Sequence, residues 1–121
     1  MPDSHVVDAF VALVEAGDYV GAIERFYADE ASMQENNEPP RVSRAVLVQG
    51  EKQIMGAFRS IVASKVGPAL IDGDQVAIRW RFEFTPFEGI NRSLDEIAWQ
   101  RWRGEQIVEE KFFYDPKQTG R

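Results

Sequence analysis

The chain has no cysteine and a single histidine, His5. Thiolate nucleophiles, thiolate metal sites and disulfides are therefore absent, and a Ser-His-Asp triad or a multi-histidine metal centre within one chain has too few parts. Acid–base chemistry must run on carboxyls, tyrosines or arginine-tuned groups. Such groups gather in three places. Glu35 closes the run Ala31-Ser32-Met33-Gln34-Glu35, just before Asn36-Asn37-Glu38-Pro39-Pro40. Arg79, Arg81 and Glu83 alternate with Ile78, Trp80, Phe82 and Phe84. Farther on, Glu96 and Gln100 keep step with Leu94, Ala98 and Trp102, and Glu110 with Val108, Phe112 and Tyr114. A carboxyl in apolar surroundings has a raised pKa and can shuttle a proton, whereas one beside a guanidinium stays ionised. Each candidate also has a plainer reading. Glu35 is then an exposed strand end, Glu110 a salt-bridge partner, Tyr27 core packing, and Trp80, Trp99 and Trp102 core or interface. His5 sits beside a helix start and is given no role.

The elements that must position these groups centre on residues 75–114. Three long strands are predicted there: Gln75 to Thr85, Asn91 to Trp102 and Gln106 to Tyr114. Turn-rich Pro86-Phe87-Glu88-Gly89 and Arg103-Gly104-Glu105 separate them. Connections this short make the strands antiparallel neighbours. Bulky apolar residues fall on both faces of the sheet, unlike a sheet with one wet face. Helices are expected over one face and a second subunit over part of the other, giving a homodimer. Upstream, Ser4 is expected to cap a helix from His5 to Ala16, and Asp18 a second helix from Tyr19 to Tyr27. A short strand, Ala31 to Glu35, follows. Ser43 is expected to cap a third helix reaching Ala63, either continuous or split at Gly50. Lys65 to Ile71 reads as a strand, Asp72-Gly73 as a hairpin turn, and residues 115–121 as a loose end.

At 121 residues, the chain is expected to form one domain, 1–121, with a real core. Its net charge of −6 argues against nucleic acid, which is bound through basic clusters. No run is long enough to span a bilayer, so the expectation is a cytoplasmic protein without membrane contact. Helices gathered on one side of a mostly antiparallel sheet make an α+β domain. The concave space between them is a natural small-molecule site.

The order and spacing of several short motifs resemble the nuclear transport factor two-like superfamily, in its SnoaL-like branch. They are Glu15-Ala16-Gly17-Asp18, Phe26-Tyr27-Ala28-Asp29-Glu30-Ala31, Gly50-Glu51-Lys52-Gln53-Ile54, Gly73-Asp74-Gln75-Val76-Ala77-Ile78, Ile107-Val108-Glu109-Glu110 and Phe113-Tyr114-Asp115-Pro116. The resemblance implies a cone-shaped fold, three helices on a curved sheet, an internal pocket and frequent dimerisation. It implies no metal or organic cofactor. Fold alone does not give function. Glu35 falls at the ketosteroid-isomerase base, but Phe10 and Ala98 stand where that pattern has its two oxyanion donors. Arg79 fits the arginine of the limonene-epoxide-hydrolase pattern, but Arg81 and Phe112 stand where its aspartates would be. The SnoaL cyclase acid also falls at Phe112.

By this resemblance the catalytic candidates are Glu35, Arg79 and Tyr114. The ligand-binding candidates are Phe10, Met33, Phe58, Arg81, Glu83, Glu96, Ala98, Gln100, Glu110 and Phe112. Phe10 and Ala98 would surround Glu35 with apolar surface and raise its pKa. Two strand phases fit the sequence. In one, Arg79, Arg81 and Glu83 face the pocket and pair with carboxylates there. In the other, which binary patterning favours, Trp80, Phe82 and Phe84 pack on the helices, and the charged residues form an outward ladder. Two functions likewise stand side by side. One is a proton-transfer isomerase, cyclase or hydrolase acting on a small apolar molecule, with Glu35 as base. The other is a non-catalytic binding or dimerisation module.

Overall fold

A computed structural model describes residues 1–119. The elements are α1 (Ser4–Glu15), α2 (Tyr19–Phe26), β1 (Tyr27–Glu35), β2 (Arg41–Val42), α3 (Arg44–Ala57), β3 (Phe58–Lys65), β4 (Leu70–Asp72), β5 (Gln75–Pro86), β6 (Arg92–Arg103) and β7 (Gln106–Phe113). Three helices cover one face of a mostly antiparallel sheet, so the chain is α+β as expected. The sheet order is β2-β1-β7-β6-β5-β3, with β4 also paired to β5. Only the β1–β7 pair is parallel. That pairing joins the first strand to the last, a contact that no local signal announces.

Local chemistry explains most boundaries. Asp3, rather than Ser4, caps α1, its Oδ1 accepting from the Val6 amide at 3.0 Å. Asp18 caps α2 through the Gly21 amide at 2.9 Å. Between the two helices, Gly17 turns the chain at φ +84, a conformation that costs glycine little. Ser43 caps α3 as expected, accepting from the Val46 amide at 3.3 Å. The helix continues through Gly50 but stops at Ala57, short of the expected Ala63. Phe58, Ile61 and Val62 fit a helical stripe or a strand equally well. Pairing β3 with β5 settles the matter, setting Ala63 opposite Phe82 and Val62 opposite Glu83. The strand expected at Lys65 to Ile71 shrinks to Leu70–Asp72.

Strand phase follows burial. Val76, Ile78 and Trp80 are buried toward the helices with Ala98, Trp102 and Ile107. Arg79, Arg81 and Glu83 therefore point away from the helices, correcting the pocket placement drawn from the resemblance. Turning β5 over would expose Trp80 and bury two guanidinium groups, and burying unpaired charge is costly. A one-residue shift in alignment moves every side chain to the other face. On the outer face, Arg79 holds Asp95 by two bonds of 3.0 and 2.6 Å. Arg81 holds Glu83 at 2.9 Å, and Glu83 accepts from Ser93. Ile97 and Phe113, 46% and 47% exposed, lie directly opposite each other on the same face.

The tail is less loose than expected. Pro116–Thr119 forms a 3-10 turn, and the Gln118 side-chain amide bonds both the N–H and the C=O of Asp95 at 2.8 and 3.1 Å. The last part of the expected loose end, residues 120–121, lies outside the described residues. Among the described residues, no helix is long and apolar enough to cross a membrane.

Candidate functional site

Cross-strand register assembles the site. The parallel β1–β7 pair sets Met33 opposite Glu110 and Glu35 opposite Phe112. On the other side of β7, Gln100 of β6 lies opposite Glu110. One strand farther, Trp80 of β5 lies opposite Glu96. The helix-facing side of four strands thus carries three glutamates. A fourth, Glu51, comes from α3, where it falls one turn after Leu47 and one turn before Ile54 on the inward face.

These residues enclose two adjoining chambers. The inner one, about 80 Å³, is lined by Phe10, Tyr27, Trp80, Glu51 and Glu110, among others. The outer one, about 130 Å³, is lined by Glu35, Arg41, Glu51, Glu96, Phe84 and Leu94, among others. Met33, Glu51, Phe82 and Phe112 border both. Past Glu35, Arg41 and Ile54 the outer chamber meets an open groove of about 730 Å³ that runs by Asn36, Asn37 and Tyr114. Arg41 is the only basic side chain lining these three spaces among the described residues.

Each carboxyl has its own environment. Glu110, 2% exposed, accepts from Gln100 Nε2 at 2.6 Å and from the Tyr27 hydroxyl. Gln100 Oε1 in turn accepts from the Trp102 indole at 2.9 Å. Burial pushes Glu110 up to about 7, although the bonds from Gln100 and Tyr27 pull it down. The Tyr27 phenol is raised well above its ordinary value, by burial first and by the charge of Glu110 second. Glu35 is half-buried and pairs with Arg41 at 3.1 Å. Burial raises it, opposed by Arg41 and by a hydrogen bond from Tyr114. Glu51 is raised by burial too, with Arg41 lowering and Glu35 raising it.

Glu96 differs from the others. It is 6% exposed and has neither a side-chain hydrogen bond nor an ion pair among the described residues. No fully sealed side-chain polar atom there lacks a partner, so the Glu96 carboxyl opens onto the chamber it lines. Burial, reinforced by Glu35, Glu110 and Glu51, pushes it up to about 8. At neutral pH it keeps its proton, a donor across the cleft from Glu35. Glu35, by contrast, has Arg41 and Tyr114 favouring its ionised form against burial, so the two carboxyls sit in unlike environments.

The remaining candidates divide. Met33 and Phe112 border both chambers, and Phe10 lines the inner end beside Glu110 rather than the outer chamber with Glu35. Gln100 is sealed in the Glu110 network. Ala98 is fully buried in the sheet between Ile78 and Phe112. Phe58 stands behind Phe84, with ring centroids 5.0 Å apart. Tyr114 reaches Glu35 from the groove. Arg79, Arg81 and Glu83 are remote from the cleft, on the outer face, because the apolar half of β5 claims the core. Arg41 and Glu51 were not among the sequence candidates. The position of Glu51 on the Leu47–Ile54 helical face was a readable signal. Nothing local marked Arg41, whose two-residue strand is fixed by pairing Met33 and Ser32 of β1. Gly50 leaves room for that guanidinium, because a Cβ there would lie 3.3 Å from Arg41 Nη1. Among the described residues, no group of three or more carboxylate or histidine ligands is placed to hold a metal.

Comparison with known proteins agrees with this architecture. Residues 7–110 match the SnoaL-like domain family. No curated protein matches the chain by sequence. A Mesorhizobium loti protein designated a candidate SnoaL-like polyketide cyclase is 26% identical, covering 92% of this chain and 97% of its own, with a TM-score of 0.77. A Catenulispora acidiphila protein of ketosteroid isomerase-like fold, solved with trimethylamine, is 16% identical over 97% of this chain and 93% of its own, at a TM-score of 0.79. A Xanthomonas campestris protein of cystatin-like fold reaches 0.83 at 17% identity, covering 98% and 95% of the two chains. With the family match spanning most of its length, the chain belongs to the SnoaL-like domain family, within the nuclear transport factor two-like superfamily.

Proposed function

We propose that this protein binds a small organic molecule in the two-chamber cleft and transfers a proton on it, as an isomerase, cyclase or hydrolase does. The observation that carries this reading is Glu96, a buried carboxyl without a partner among the described residues that opens onto the chamber shared with Glu35 and Glu51. Strongly perturbed groups in a cleft are functional candidates because a merely structural charge is normally paired. Glu35 accepts the proton and returns it, and Glu96 lines the chamber where the transfer takes place. Arg41 and Tyr114 hold Glu35, and Arg41, rather than the sequence candidate Arg79, is the guanidinium at the cleft. A relative of this fold holding trimethylamine supports occupancy by a small organic molecule.

The test is proton exchange. A panel of small cyclic ketones incubated in heavy water is followed by proton NMR for loss of the α-hydrogen signal. The expected result is exchange above the buffer rate, reduced by 10²–10⁴ in Glu35→Gln, the usual scale for a positioned acid or base. Binding seen by chemical-shift change without any exchange would leave the non-catalytic binding module as the better reading.

The outer sheet face supports a homodimer, since Ile97 and Phe113 lie there side by side and half exposed. Light scattering at micromolar concentration is expected to give twice the chain mass, and Phe113→Asp to give a monomer.

A further inference from the structure

Taking the small-molecule reading above as its basis, we propose that the ligand of this cleft is a small organic cation, an alkylammonium ion. Its head group sits in the outer chamber between Glu35, Glu51 and Glu96 and the rings of Phe82, Phe84 and Phe112.

Charge is the first argument. Four glutamates line the two chambers, and Arg41 is the one basic side chain among the described residues that reaches them. Arg41 is already engaged, with Glu35 at 3.1 Å and the Met33 sulfur at 3.9 Å. The arginines of β5, Arg79 and Arg81, are turned to the opposite face of the sheet and tied to Asp95 and Glu83. A carboxylate or phosphate ligand would add negative charge to this surplus and be repelled.

Glu96 supplies the second, independent argument. A carboxyl 6% exposed and lacking a partner among the described residues is costly to bury in either form. The titratable groups bearing on it are Glu35 of β1, Glu51 of α3 and Glu110 of β7, with Arg41 and Tyr27 beyond them. All three nearest are acids. Protonation of Glu96 relieves their repulsion. A bound cation does the same work in place of a proton, so Glu96 releases its proton to solvent as the ion enters.

Wall chemistry is the third. The chamber that holds these acids is also bounded by Phe82, Phe84, Phe112, Ile54 and Leu94. Bare ammonium would prefer water to such walls. An alkylated ammonium suits them, because its methyl groups pack against apolar surface while aromatic faces attract its charge.

The experiment uses three probes of one shape and different charge: tetramethylammonium, neutral tert-butanol and anionic pivalate. Each is titrated into the intact protein by calorimetry in buffers of differing ionisation enthalpy at pH 6, 7 and 8. Tetramethylammonium is expected to bind at least tenfold more tightly than the other two, to release up to one proton at pH 7, and to tighten several-fold from pH 6 to pH 8. Glu96→Gln is expected to abolish the proton release and weaken the cation while leaving tert-butanol unchanged. Because the ranking of the probes is read on the wild-type chain, the outcome does not depend on that variant folding. Equal or tighter binding of tert-butanol or pivalate would overturn the cation assignment and leave the small-molecule reading standing. Absence of tetramethylammonium binding at millimolar concentration would overturn it as well, and the ketone panel would then judge the broader reading separately.

Discussion

The two faces of one sheet treat charge in opposite ways. On the outer face, Arg79–Asp95, Arg81–Glu83 and Arg101–Glu109 form a ladder of opposite charges, half exposed to solvent. Pairing there lowers Glu83 and Asp95, mainly through hydrogen bonds from Ser93 and Arg79 respectively. On the inner face, Glu96 and Glu110 lie on the same strands, yet no cation among the described residues pairs with either, and both are raised. Water makes the outer arrangement easy and of little energetic consequence. In the cleft each unpaired carboxyl is costly, so its presence needs a reason outside folding. The contrast supports the cleft as the candidate site better than any single residue type does, since the sequence is rich in glutamate throughout.

The largest effect is expected where the inner network is sealed. Gln100→Leu strands both Glu110 and the Trp102 indole, and a buried unsatisfied polar group costs about 1–3 kcal/mol. A loss of at least about 2 kcal/mol in urea unfolding is expected. A loss near zero would mean that water enters and replaces the amide, making the inner chamber as wet as the outer face.

The second expectation concerns pH and carries a definite sign. The folded-state values of Glu96 and Glu110 are raised, to about 8 and about 7 from an ordinary 4.5. Between those limits the native state binds more protons than the unfolded chain. Their contribution is therefore fully present below about pH 4.5 and is lost as pH rises to about 8. The outer carboxylates, lowered instead, act in the opposite sense, and their contribution is lost as pH falls below the ordinary carboxylate range. Stability is expected to fall from pH 5 to pH 9 by an amount on the order of a few kcal/mol, read as a falling melting temperature. Glu96→Gln, which cannot ionise, should flatten that fall. A wild-type profile that is flat from pH 5 to pH 9 would show that the two carboxyls are hydrated after all.

The smallest effect belongs to the outer ladder. Arg81→Met is expected to change stability by less than about 0.5 kcal/mol, as exposed sites usually do. A loss of several kcal/mol, the scale for breaking a buried ion pair, would instead place Arg81 inside and reverse the contrast between the faces.

Much of this was legible in the chain itself. The apolar alternation of Ile78 to Phe84, the Asp18 and Ser43 caps, and the turns at Gly17, Asp72-Gly73 and Gly104 are local signals, each set by residues within a few positions. They determined the α+β class and the long hairpins. The mixed faces of β6 and β7 already put Glu96 with Gln100, and Glu110 with Phe112. Binary patterning favoured Trp80 inside and Arg79 outside, the resemblance favoured the reverse, and tertiary burial decided for the first. The fate of residues 58–63 was decided in the same way, since their apolar spacing suits a helix until β5 offers them a partner. The site itself depended most on tertiary contact. Glu35, Glu51, Glu96 and Glu110 lie on four separate elements. Only the parallel pairing of β1 with β7 and the docking of α3 bring them to one cleft. That convergence perturbs their protonation, because desolvation and mutual repulsion act through space and leave no mark on spacing along the chain.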